Sequence, residues 1–221
     1  MIAEELINQM IPPLKPADTL DKAIRWMEEM RIAQLPVIDK DQYIGLLSED
    51  IIYEKNDEST YVSDVQLIGS SVYVMYNQHF YDILRLASSY AVQLVAVLGE
   101  EGNFLGVVTL HDTLNAFADS FSNQESGGIL VMLIDYRDYS LAEISRLVES
   151  NQARILNVSV VHDTGNPNNL QVTLKINKTN LSRIVATFER FNYQIIAKFQ
   201  PSEFQDMDKE RLDLLFKYMD I

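Results

Sequence analysis

Cysteine is absent from the 221-residue chain. That excludes disulfides, thiolate metal sites and cysteine nucleophiles together. Positive charge is scarce, with 18 Lys+Arg against 32 Asp+Glu and a formal net charge of −14. Tracking a phosphate backbone needs a basic face, so nucleic acid is not an expected partner. Long apolar runs are missing as well: none reaches the roughly 18 residues that span a bilayer. Glu4 and Glu5 stand where an export signal would carry Lys or Arg. These absences set the expectation of a cytoplasmic chain with no membrane partner. Catalytic signatures are lacking too. There is no G-x-S-x-G elbow and no phosphate-binding glycine loop. His79, His111 and His162 are far apart in sequence and read as surface or helix-end residues rather than zinc ligands. No acid/base pair stands out, so the chain reads as non-catalytic, with no metal and no required cofactor.

What is present is a real core. Apolar residues make up 47% and charged residues 23%, the balance of a folded protein. The charge is unevenly spread: residues 1–122 hold 19 acids and 7 bases, 123–201 hold 7 and 8, and 202–221 hold 6 and 3. Such asymmetry predicts unlike modules. The polar, glycine-ended stretch over 123–128 reads as the linker between them.

The acidic part repeats itself. Ile24, Met27, Gln34, Leu35, Val37 and Ile38 recur 59 residues later as Ile83, Leu86, Gln93, Leu94, Ala96 and Val97. Gly45-Leu-Leu-Ser48 then recurs as Gly106-Val-Val-Thr109, offset by 61. Each copy reads as β-α-β-β-α, over 1–60 and 61–122, with Asp18 or Thr19 capping a helix that buries Leu20, Ala23, Ile24, Met27 and Met30. Two short strands cannot bury a core alone, so the copies are expected to pack as one pseudo-symmetric body. The glycine is expected to let the strand end turn tightly into the following helix.

Leu35-Pro36-Val37-Ile38-Asp39 with Tyr43-Ile44-Gly45-Leu46-Leu47-Ser48, and Gly106-Val-Val-Thr109-Leu-His-Asp112 in the second copy, resemble the cystathionine-β-synthase (CBS) domain. The resemblance covers about residues 1–120. It implies a disc with two clefts for adenosine-containing ligands, in which the Ser/Thr and Asp of the closing motif hold the ribose hydroxyls. By that resemblance the second-cleft ligand residues are Gly106, Thr109 and Asp112. Thr109-x-x-Asp112 is also a capping-box start to a helix, needing no ligand. The first copy departs from the pattern: six residues after Gly45 stands Ile51, and Asp50 comes one residue early. One residue is about 100° of helix rotation, so the first cleft, with Ser48 and Asp50, is expected to be the weaker or vacant one. Between residues 61 and 122 the only Lys or Arg is Arg85. A ligand of low negative charge, AMP or S-adenosylmethionine, is therefore expected before ATP.

The later part reads as a strand over Ile129–Ile134, a helix with Leu141, Ile144, Leu147 and Val148, strands over Ile155–Val161 and Leu170–Ile176, a helix with Leu181, Ile184, Val185 and Phe188, and a strand over Tyr193–Phe199. The order β-α-β-β-α-β is ferredoxin-like. Leu141-Ala-Glu-Ile-Ser-Arg-Leu147 with Ile155-Leu-Asn-Val-Ser-Val160 resembles an ACT domain over residues 129–200. That implies side-by-side pairing and, in some members, an amino-acid ligand. Amino-acid-binding members carry Pro-Gly before the first helix; here Tyr139 stands where the glycine would be. Residues 201–221 read as an amphipathic helical tail with Phe204, Met207, Leu212, Leu215, Phe216 and Met219 on one face. The fold class expected is thus α/β and α+β: a CBS pair, a ferredoxin-like module and a C-terminal helix. This order resembles acetoin-utilisation accessory proteins. The function expected is a regulatory adenosine sensor, forming a homodimer or higher oligomer, or else a ligand-free scaffold.

Overall fold

The computed structural model describes residues 1–55, 57–120 and 126–200. The chain divides into two compact units, Met1–Ala118 and Asp119–Ile221. The tail over 201–221 and positions 123–125 of the expected linker lie outside the described residues.

In the first unit, the first copy contains helix α1 (Leu20–Met30), the antiparallel pair β1 (Gln34–Asp39) and β2 (Gln42–Ser48), and helix α2 (Glu49–Lys55). The second contains β3 (Tyr73–Met75), α3 (Phe80–Tyr90), β4 (Leu94–Leu98), β5 (Phe104–Thr109) and α4 (Leu110–Ser120). β3 runs parallel to β4, and β5 antiparallel. The opening strand of the first copy shrinks to a single parallel bridge, Leu14 with Val37. Pro12, Pro13 and Pro16 surround it, and proline has no N–H to give a ladder. Thr19 caps α1, accepting from Lys22 N at 3.4 Å; His79 caps α3 through its ring nitrogen.

The copies do not simply stack. Their leading segments are exchanged. Ile2 bridges His79 and Asn8 bridges Val107, so residues 1–8 lie on the second copy. Thr19 bridges Tyr61 and Leu46 bridges Ile68, so residues 58–68 lie on the first. The cause is visible at α1: the first N–H groups of a helix have no partner within it. Leu20 N donates to Thr60 O at 2.9 Å and Asp21 N to Glu58 O at 2.9 Å. The boundary expected near residue 60 is therefore crossed by both ends. One core serves both copies, joining Leu20, Met27, Leu35, Val37 and Leu46 to Phe80, Ile83, Leu94, Val97 and Val107. The equivalent Gln34 and Gln93 meet across the pseudo-twofold. Gln34 Oε1 accepts from Gln93 N at 2.8 Å, and Gln93 Oε1 from Ala33 N at 3.4 Å.

The second unit runs β6 (Gly128–Asp135), α5 (Leu141–Glu149), β7 (Ile155–His162), β8 (Asn169–Ile176), α6 (Ser182–Arg190) and β9 (Gln194–Phe199). The sheet is antiparallel in the order β7-β8-β6-β9. Gly128, expected in the linker, is the first residue of β6, opposite Ile176. Alternate residues Leu170, Val172, Leu174 and Ile176 of β8 are buried in the cluster that also contains Ile144, Leu147, Ile184 and Phe188 of the helices. That is the period-2 pattern of a sheet with one covered face.

Candidate functional site

The site is built where β5 passes into α4. Gly106 is not at the turn into the helix, as expected, but inside β5, three residues before the strand ends. The register slips there: Val97 pairs with Gly106 while Leu98 pairs with Phe104, leaving Leu105 as a bulge. Gly106 has φ +155°, and a Cβ on it would lie 2.5 Å from Ile7 Cγ2. Its job is to let the exchanged leading segment approach the strand. It is buried and does not line the adjoining cavity.

Thr109 and Asp112 stand at the start of α4 and form a reciprocal capping box. Asp112 N donates to Thr109 Oγ1 at 3.1 Å, and Thr109 N donates to Asp112 Oδ2 at 3.0 Å. Thr109 Oγ1 also donates to Oδ2, at 2.6 Å, and Asn8 Nδ2 adds a third bond at 3.2 Å. The helix start is thus satisfied without a ligand, while Asp112 Oδ1 takes none of these bonds.

Thr109 and Asp112 line a cavity of about 690 Å³ with Asn8, Met10, Ile11, Glu29, Met30, Arg31, Ile32, Gln93, Leu94, Leu110 and His111. Apolar walls with a few convergent polar groups are the usual form of a small-molecule site. The walls come from both copies, because the leading segment crosses over and the end of α1 faces it. Sequence reasoning therefore missed Asn8, Gln93 and Arg31. Counting bases within residues 61–122 underestimates the cleft's positive charge, since Arg31 enters from the first copy. The Gln34/Gln93 equivalence in the repeat was a signal for Gln93; nothing in the sequence marked Asn8.

Ser48 and Asp50 line a second cavity, of about 590 Å³, with Glu54, Lys55, Asp64 and Gln66 among its walls. Ser48 is buried and Asp50 is exposed in the first turn of α2. The residue equivalent to Asn8 is Ile68: each bridges the second residue of a Gly-x repeat, Leu46 or Val107. Isoleucine has no amide with which to clamp a carboxylate.

In the second unit, Tyr139 is half-buried against the core. It also lines a cavity of about 480 Å³ with Tyr136 and His162, whose rings stack at 6.3 Å. Among the described residues no three His, Cys, Asp or Glu side chains gather as a metal site, and no helix is long and apolar enough to cross a membrane.

Residues 3–55 match the family model of the CBS domain. Among solved structures, a CBS domain pair/ACT domain protein from Thermotoga maritima superposes with a TM-score of 0.51 at 19% identity, covering 55% of this chain and 100% of that one. The chain is 22% identical over 177 residues to inosine-5'-monophosphate dehydrogenase from Methanocaldococcus jannaschii, 80% of this chain and 34% of the enzyme. It is 23% identical over 133 residues to the same enzyme from Korarchaeum cryptofilum, 58% and 27% respectively. The chain thus spans about a third or less of the length of these relatives. The family match and the superposition support a tandem CBS pair of mixed α/β fold.

Proposed function

We propose that the protein is a non-catalytic regulator that senses an adenosine-containing ligand in the cleft at Thr109 and Asp112. The observation that carries this reading is the convergence of that pair, Arg31 and an apolar wall on one cavity of about 690 Å³. A carboxylate oxygen has two lone-pair positions, so Asp112 Oδ1 can accept both vicinal hydroxyls of a ribose. Arg31 can meet one phosphate, while Glu29 opposes a longer chain of them. AMP or S-adenosylmethionine is favoured over ATP on that ground. The first cleft, at Ser48 and Asp50, is the weaker or vacant one.

The second unit is proposed as an ACT-like module for assembly or output in a cytoplasmic homodimer or higher oligomer. Its support is the β-α-β-β-α-β order of the ferredoxin-like fold and the joining of a CBS pair to an ACT domain in the Thermotoga maritima protein. The same order of modules underlies the resemblance to acetoin-utilisation accessory proteins. One observation favours a second reading, a ligand-free scaffold: the Thr109/Asp112 box is complete by itself.

Thermal melts of the full chain decide between them. A ligand at a hundredfold excess over Kd stabilises by about 2.7 kcal/mol. The sensor shows an upward shift with AMP or S-adenosylmethionine, larger than with metal-free ATP, and Asp112→Ala abolishes it. A scaffold melts at the same temperature with every one of these ligands.

A further inference from the structure

We infer that Asn8 is the positioning residue that gives the second cleft its selectivity for a ribose over a deoxyribose. The inference rests on the adenosine reading of that cleft. Three donors converge on Asp112 Oδ2: Thr109 N, Thr109 Oγ1 and Asn8 Nδ2. They fill its lone-pair positions and leave Oδ1 as the oxygen available to a ligand. The two Thr109 bonds come from one residue at the base of the helix. The third comes from a different segment, and a third point of attachment fixes the plane of the carboxylate.

Asn8 is itself held by two further bonds. Its N–H donates to Val107 O at 2.8 Å, and its Oδ1 accepts from Met10 N at 3.0 Å. That second bond assigns the amide: with Oδ1 facing an N–H, Nδ2 must be the group facing Asp112. The clamp exists only because the leading segment is exchanged onto β5. A vicinal diol needs both lone pairs of Oδ1 aligned, whereas a base or a phosphate elsewhere in the cleft does not contact this oxygen. Freeing the carboxylate should therefore weaken ribose recognition alone.

The test is calorimetry of AMP and 2′-deoxy-AMP on the full chain and on Asn8→Asp. That variant keeps an oxygen for Met10 N, loses the donor to Asp112 and places a like charge beside it. The wild type is expected to prefer AMP by about tenfold or more, the value of a hydrogen bond to a charged group. In the variant the ratio falls to within about threefold, through weaker AMP binding with 2′-deoxy-AMP little changed. Asn8→Ala, which drops the donor without adding charge, produces the same fall and serves if the like charge unfolds the chain. A merely structural role weakens both nucleotides together and keeps the ratio; that result overturns the inference and leaves the adenosine reading standing. A wild type that binds AMP without preferring it also overturns the inference alone. A wild type that binds neither nucleotide overturns the reading of the cleft, and the inference with it.

Discussion

The two clefts of the first unit come from one repeated backbone and differ in what closes on their carboxylates. In both, a glycine with φ near +155°, Gly45 or Gly106, admits a leading segment from the other copy. In both, a hydroxyl follows three residues on, Ser48 or Thr109. The divergence lies in one residue of spacing and one crossing side chain. Asp112 falls where it can close a capping box and meets Asn8, whereas Asp50 is exposed in the first turn of α2 and the crossing residue is Ile68. Duplication thus supplies two cavities of similar size, while the spacing of the carboxylate and the identity of the crossing residue together set them apart.

The symmetry can be broken most severely at the glycines. A Cβ at Gly45 would stand 2.9 Å from the Ile68 carbonyl oxygen; at Gly106 it would meet only the Ile7 methyl, at 2.5 Å. Gly45→Ala and Gly106→Ala are each expected to cost about 1–3 kcal/mol. Gly45→Ala should cost more because backbone yields less than a side chain, and urea denaturation ranks them. An inverted order would mean that the leading segments are held differently. Next comes the carboxylate pair: Asp112→Ala removes a cap and is expected to cost about 1 kcal/mol, against less than about 0.5 kcal/mol for exposed Asp50→Ala. Equal losses by chemical denaturation would erase the distinction between the clefts.

A smaller effect separates the charges. Arg31→Ala is expected to weaken AMP by about threefold, the scale of an exposed ion pair, and to leave adenosine unchanged. Calorimetry with both ligands reads the difference, and an equal loss for adenosine would assign Arg31 a packing role instead.

The smallest effect lies in the equivalent turns before α1 and α3. Asp18 Oδ2 accepts from Lys15 N at 2.8 Å, and Gln78 Oε1 accepts from Met75 N at the matching position. Burial pushes the Asp18 carboxyl up, but hydrogen bonds from Lys22 and Lys15 and their charges hold it below its ordinary 3.8. A depressed carboxyl stabilises the fold above that ordinary value, and the contribution is lost as pH falls through the folded one. Asp18→Gln, which copies the second turn, should remove a few tenths of a kcal/mol of acid sensitivity below about pH 4. The variant should lie about a few tenths of a kcal/mol below the wild type at neutral pH, where the Lys22–Asp18 ion pair is lost, and meet it once Asp18 is protonated; an unchanged acid limb would show that the turn does not titrate with folding.

Much of the fold was legible because local periodicity reports it. The 3.6-residue spacing of Leu20, Ala23, Met27 and of Ile144, Leu147, Val148 marks helices. The alternation over Leu170–Ile176 marks a half-covered strand. The elements of the second unit fall within a residue or two of their expected limits. Thr109 and Asp112 were legible as a motif and do share the wall of a cavity. Asn8 and Arg31 were not, since each acts some eighty to one hundred residues away in sequence from the motif it faces, and no local pattern carries that pairing. The role of Gly106 was misread for the same reason: a glycine before a hydroxyl suggests a turn, but the object it accommodates, Ile7, is distant in the chain.

By itself the sequence determined the repeat, the unlike charge of its parts, the order of helices and strands and the motif at the head of α4. These follow from composition and from side-chain periods that act over a few residues. The tertiary structure alone decided that the leading segments exchange: Thr60 and Glu58 accept from the first N–H groups of α1, and residues 1–8 bridge His79 and Val107 of the second copy. That exchange brings Asn8 to Asp112, and Arg31 lines the same cleft from the first copy. The scarcity of positive charge is therefore not the whole constraint on the cleft, since the one guanidinium on its wall is supplied by the copy that does not carry the motif.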